Sequence, residues 1–186
     1  MAKRAEKEVS DALGPKLLIK TPAEEILFSR GFYQVEEDSL YVPIHPSGRF
    51  FSYLDSPQVS LQTDNSGRLI FIQIHLPRAQ WKVCDHLELP AAPVSADIRL
   101  LEFRGNIPPS IIERSPDGKV VRIGFGDPPK ALSYQIAESL VFDVTPDARL
   151  AAIWVGQIQD DRAAEKMAVW RKELRQAEAE ERPDQN

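Results

Sequence analysis

Residues 140–155 read LVFDVTPDARLAAIWV, two apolar strand-length runs on either side of Thr145, Pro146, Asp147 and Ala148. A polar four-residue connection between two such runs predicts an antiparallel hairpin. The pattern also stands 81 positions earlier, as VSLQTDNSGRLIFIQI over residues 59–74, and the two copies align without a gap. In the earlier copy Val59, Leu61 and Thr63 alternate with Ser60 and Gln62, the period of a half-buried strand. Past its turn, Ile70, Ile72, Ile74 and Leu76 share one face, and Leu69, Phe71, Gln73 and His75 the other. A strand apolar on both sides predicts cover over both faces of its sheet.

Widening the comparison to residues 38–77 against 119–158 keeps the constant offset. Ser52 matches Ser133, Tyr53 matches Tyr134, Arg68 matches Arg149, Leu69 matches Leu150 and Ile72 matches Ile153. Apolar character is kept at Leu40 and Val121, Val42 and Ile123, Ile44 and Phe125, and Leu61 and Phe142. A gapless strand pattern with Arg-Leu after each turn indicates duplication.

Further strands are read at 32–35, 40–44 and 50–54. Ser115-Pro116-Asp117-Gly118 is a turn that joins 111–114 to 120–125. Residues 77–110 hold five prolines, which confine strands around 81–87 and 98–103 to edges or connections. Helices are expected at both ends. Residues 2–13 form a charged segment stopped by Gly14-Pro15. Thr21-Pro22-Ala23-Glu24 has the N-cap hydroxyl, first-position proline and early acid of a helix start, with Gly31 as its stop. From about Asp161, a stripe of Ala163, Met167, Trp170, Leu174 and Ala177 recurs at helical spacing.

The expected fold is therefore α+β: two similar antiparallel β units related by a pseudo-two-fold, short N-terminal helices and a longer C-terminal helix. The expected organisation is a single domain. It comprises a helical segment (1–31), a first β repeat (32–77), a proline-rich connection with strands (78–117), a second β repeat (118–158) and a charged helix and tail (159–186).

Each copy resembles the small bacterial YuzE-like domains of unknown function. The residues carrying the likeness are LYVPIHPSGRFFSYLDSPQVSLQTDNSGRLIFIQI in the first copy and VRIGFGDPPKALSYQIAESLVFDVTPDARLAAIWV in the second. The resemblance implies an antiparallel unit and partner binding, without a defined reaction. The family's aspartate in the penultimate strand is matched by Asp143 and replaced by Gln62 in the first copy. Its late glutamate is replaced by Gln73 and Trp154.

Composition narrows the function classes. Twenty-three basic and 28 acidic side chains give a net charge of −5, which argues against a nucleic-acid-binding surface. No apolar run is long enough to span a bilayer, and the charged start MAKRAEKEVSDALG has no apolar segment of a secretory leader behind it. The single cysteine, Cys84, can form no internal disulfide and no paired cysteine set exists for zinc, so a reducing cytoplasm is expected. No cofactor or metal motif is present.

Cys84 and His86 in WKVCDHLEL would share a face if they lay on a strand, the geometry of a thiolate–imidazole pair. The plainer expectation is a buried, unreactive thiol beside a partly exposed imidazole. Tyr53, Arg68, Tyr134 and Arg149 are the polar set that recurs in both copies. They could form two equivalent pockets for an anion or a partner's carboxylate. The simpler account has each arginine pairing locally after its turn and each tyrosine packing across its strand. Met167, Trp170 and Leu174 would cover a core face, or form a seam for a protein partner or a second copy. No catalytic residue is assigned. The functional expectation is a non-enzymatic cytoplasmic protein-interaction module. The alternative is a small-molecule binder or enzyme that uses a cleft between the repeats.

Overall fold

The structure, a computed structural model, describes residues 13–45 and 48–161. These residues are built from strands. They hold no α-helix, and one turn of 3-10 helix at Arg78–Gln80 is their only helical element. The first half carries β1 (Leu17–Lys20), β2 (Phe32–Gln34), β3 (Ser39–Pro43), β4 (Ser52–Asp55), β5 (Val59–Thr63) and β6 (Leu69–Ile74). The connection adds β7 (Lys82–Val83), β8 (Val94–Ser95), β9 (Asp97–Leu100) and β10 (Gly105–Asn106). The second half carries β11 (Ile111–Arg114), β12 (Val121–Gly124), β13 (Leu132–Ala137), β14 (Leu140–Val144) and β15 (Leu150–Val155), and β16 (Gln159–Asp161) follows.

Two seven-stranded sheets run β10-β4-β5-β6-β3-β2-β16 and β7-β11-β12-β15-β14-β13-β8. Their five central strands correspond one to one, and in the same order once the second sheet is read from its β8 end, with β5 and β6 lying 81 residues before β14 and β15. Even the irregularity recurs. The β5–β6 ladder shifts register between Gln62 and Thr63, and β14–β15 shifts between Asp143 and Val144. The alternation in each strand explains the core: Val59, Leu61, Ile72 and Ile74 from one sheet and Leu140, Phe142, Ile153 and Val155 from the other are all fully buried in one cluster.

The flanking segments are exchanged between the halves. The segment after the first hairpin supplies β7 to the second sheet, where Lys82 pairs with Glu113. The segment after the second hairpin supplies β16 to the first sheet, where Gln159 pairs with Phe32. Phe32 and Glu113 are themselves 81 residues apart. The segments ahead of each unit cross as well. The Ile107 N–H donates to the Asp55 carbonyl at 2.8 Å in the first sheet, and the Glu138 N–H of the second donates to the Leu27 carbonyl at 2.9 Å. At the centre β1 and β9 pair with each other as a two-stranded ribbon, Leu17 opposite Leu100. Each then docks on the other half's hairpin turn: Leu17 N–H donates to Ala148 O at 2.8 Å, and Leu100 N–H to Gly67 O at 2.7 Å.

These pairings correct the α+β expectation; the described chain is all-β. Residues 21–31 are not a helix, because their backbone groups are taken by β8, β13 and the β13–β14 turn of the second sheet. Ala23 N–H donates to Ser95 O, Leu27 bridges Ala137, and the Ser29 carbonyl accepts from the Ser139 hydroxyl. An isolated helix of that length is marginal in water, and strand contacts override its capping signals. Around Asp161, where a helix was expected to begin, the chain is still the edge strand β16. The remainder of the expected C-terminal helix and residues 2–12 lie outside the described residues.

Candidate functional site

The hairpin turn of the first half is organised by Asp64. Its carboxylate accepts from the Ser66 N–H at 2.8 Å, the Ser66 hydroxyl at 2.7 Å, the Arg68 N–H at 3.0 Å and Arg68 Nε at 2.9 Å. Burial alone would raise its pKa, but these hydrogen bonds outweigh it and bring the carboxyl to about 2. In the second half Thr145 takes the same position, and its hydroxyl accepts from the Arg149 N–H at 3.0 Å.

Each turn arginine then meets a second cation across the crossing ribbon. Arg68 forms an antiparallel bridge with Arg99, and Arg149 forms one with Lys16. Arg68 and Arg99 line a cleft of about 350 Å³ between the halves. Its apolar wall includes Leu27, Ile44, Ile98 and Ile136, and its rim carries Lys20, Glu24, Glu25 and Asp97. His45 also lines it, with its pKa lowered by burial and then by the charge of Arg68, so the imidazole is neutral at pH 7. Lys20 is hydrogen bonded to Glu24, which raises the Lys20 pKa and lowers that of Glu24. Arg149 lines a second cleft of about 390 Å³ with Gly14, Pro15, Glu102 and Ile107. There Arg149 Nη1 donates to the Gly14 carbonyl at 3.5 Å and Nε lies 3.9 Å from Asp147.

The two recurrent tyrosines are not equivalent. In β4–β5 Tyr53 stands opposite Gln62 and is 45% exposed. In β13–β14 the register is displaced by one residue, so Ser133 faces Asp143 and Tyr134 stands opposite the buried Phe142. A one-residue slip moves a side chain to the other face of its sheet, and a bulge between Gln135 and Ala137 then restores the register. Neither tyrosine lines the clefts of Arg68 and Arg149. Tyr53 instead lies near Phe51, whose ring meets Phe103 edge-on at 5.8 Å, and all three are exposed.

The slip also builds a network that inspection of the sequence misses. Asp143 accepts from the Ser133 hydroxyl and from Trp154 Nε1, both at 2.6 Å. The Arg122 guanidinium lies 5.5 Å from the Trp154 ring and donates to Glu113 at 2.9 Å. The only sequence signals were charged residues at outward strand positions. Arg99 and His45 had none, because the residues that give them a role are distant in the chain.

Cys84 and His86 do not share a strand, since β7 ends at Val83 and a turn follows. Cys84 is half-buried rather than enclosed, and His86 is exposed. Met167, Trp170 and Leu174 lie outside the described residues. Among the described residues no group of three His, Cys, Asp or Glu side chains could hold a metal ion, and no helix is long and apolar enough to cross a membrane. No family model matches the chain, and no curated protein matches it.

Proposed function

We propose that this protein is a non-enzymatic, cytoplasmic binding module whose ligand enters the cleft between its halves. One observation carries the reading: the cleft is walled by both units and by the ribbon that crosses between them. Concave sites at such junctions, apolar with a few convergent polar groups, are the usual places for small ligands. Its lining holds no hydroxyl or thiol, and Glu24 keeps Lys20 protonated, which supports binding over covalent catalysis. Descent of each half from a YuzE-like unit belongs to the same proposal, supported by the strand, turn, Arg-Leu, strand order in both.

A thermal-shift screen of small metabolites against the intact protein and a Leu27→Trp variant tests this. Compounds that stabilise the intact protein should lose their effect when the indole fills the cleft. Hits indifferent to Leu27→Trp would remove the cleft from consideration.

A protein partner or second copy is the other reading, favoured by the exposed Phe50, Phe51, Tyr53 and Phe103 beside the two-residue edge strand β10. Sedimentation over a wide range of protein concentration tests the second-copy form, with Phe51→Ser expected to abolish any association.

A further inference from the structure

We infer that the cleft between the halves takes the carboxylate of a small, mainly apolar acid, held between Arg68 and Arg99. This rests on the cleft being the binding site and names its ligand class. The Arg68–Arg99 bridge is of the non-hydrogen-bonded kind, flanked by the Leu100 N–H on the Gly67 carbonyl at 2.7 Å. In such a pair the Cα atoms stand about 4.5 Å apart and the side chains are at their closest. Like charges placed directly opposite each other are destabilising. The fold nonetheless builds this arrangement twice, since Lys16 faces Arg149 in the second half.

The first pair is the one left open to an anion. Arg68 uses Nε on Asp64, which fixes its guanidinium and leaves both terminal nitrogens without a hydrogen-bond partner among the described residues. The Arg99 side chain makes no hydrogen bond or ion pair among the described residues, and nearby Glu24 is already bonded to Lys20. Guanidinium forks suit a carboxylate bidentately. A neutral His45 adds a donor without adding charge.

The surroundings choose among oxyanions. Glu24, Glu25 and Asp97 on the rim repel a dianion, which favours one carboxylate over a phosphate monoester. Ile44, Ile98 and Ile136 offer the remainder of the ligand an apolar wall.

Titration of the intact protein with hexanoate, hexyl phosphate, 1-hexanol and inorganic phosphate, followed by thermal shift and calorimetry, tests the inference. Hexanoate should bind saturably, hexyl phosphate more weakly, and the alcohol and inorganic phosphate not at all. Arg99→Gln should weaken hexanoate by about tenfold or more while the ligand-free Tm is unchanged or higher, because the like-charge pair is gone. Arg99→Lys should fall between, and Arg149→Gln should bind as the parent does. Inorganic phosphate protecting as well as hexanoate, or Arg99→Gln binding hexanoate normally, would overturn the assignment. Neutral ligands blocked by Leu27→Trp yet indifferent to Arg99→Gln would leave the cleft as a binding site and remove the carboxylate.

Discussion

Gly67 and Ala148 occupy the same position of the two hairpin turns, and both have left-handed backbones, with φ of +82° and +62°. Both donate their N–H to the carbonyl that opens the turn, Gly67 to Asp64 at 3.1 Å and Ala148 to Thr145 at 2.9 Å. Glycine adopts this conformation freely, whereas a side chain there costs about 1–2 kcal/mol. Ala148→Gly is therefore expected to stabilise the protein by about 1 kcal/mol once glycine's larger unfolded-state entropy is counted, read as a higher urea midpoint. Gly67→Ala should do the reverse, by more than about 2 kcal/mol, because its Cβ would lie 2.3 Å from the Leu100 carbonyl oxygen. Equal effects at the two positions would contradict the turn geometry.

Asp64 should make stability depend on acid. Its folded pKa of about 2 lies below the ordinary 3.8, so its contribution is complete above pH 3.8 and is lost as pH falls toward 2. The difference corresponds to about 2 kcal/mol. Asp64→Asn is expected to lose that amount at pH 7, with the gap to the parent closing near pH 2 in urea titrations. Asp64→Thr should lose less than Asp64→Ala, because Thr145 caps the matching turn through its hydroxyl. Identical losses in those two variants would show that the cap contributes nothing.

Asp143 is the shared acceptor of Ser133 and Trp154. Asp143→Ala should lower stability by about 1–3 kcal/mol, since the half-buried indole N–H loses its partner. Asp143→Asn keeps a carbonyl acceptor and should cost less. Thermal denaturation followed by tryptophan fluorescence measures both.

The exchanged edge strands predict how the chain can be divided. A break between Ala91 and Ala92 falls between β7 and β8 and cuts neither. The fragments 1–91 and 92–186 should co-purify when expressed together and show the sheet signal of the intact protein. Each alone should be unfolded, because the first lacks β10 and β16 and the second lacks β7 and the partner of β9. A fragment that folds alone, with a cooperative thermal transition, would refute the interdependence of the halves.

Legibility in the sequence followed the range of the interactions. The strands at 59–63, 69–74, 140–144 and 150–155 were readable because alternation and turn residues are local signals. The helix expected over 21–31 failed because equally local capping signals were overridden by pairing with the second sheet. Arg68 and Arg149 were legible as a recurrent pair, but their cross-strand partners Arg99 and Lys16 were not. Tyr53 and Tyr134 were legible as identical residues, but not as residues on opposite faces.

The sequence by itself determined the repeated unit: its strand order is marked by apolar alternation, and its bends by Asp64 to Gly67 and Thr145 to Ala148. Tertiary structure decided which backbone edges meet. Edge pairing is made by N–H and C=O groups that every residue except proline carries, so β7, β10 and β16 bear no side-chain code for the sheet they join. It also decided the register of β13 against β14, where a one-residue displacement leaves composition unchanged and turns each side chain over. The cleft is a product of that second level. Arg68 and Arg99 come together only because the ribbon strand ahead of the second half docks on the turn of the first.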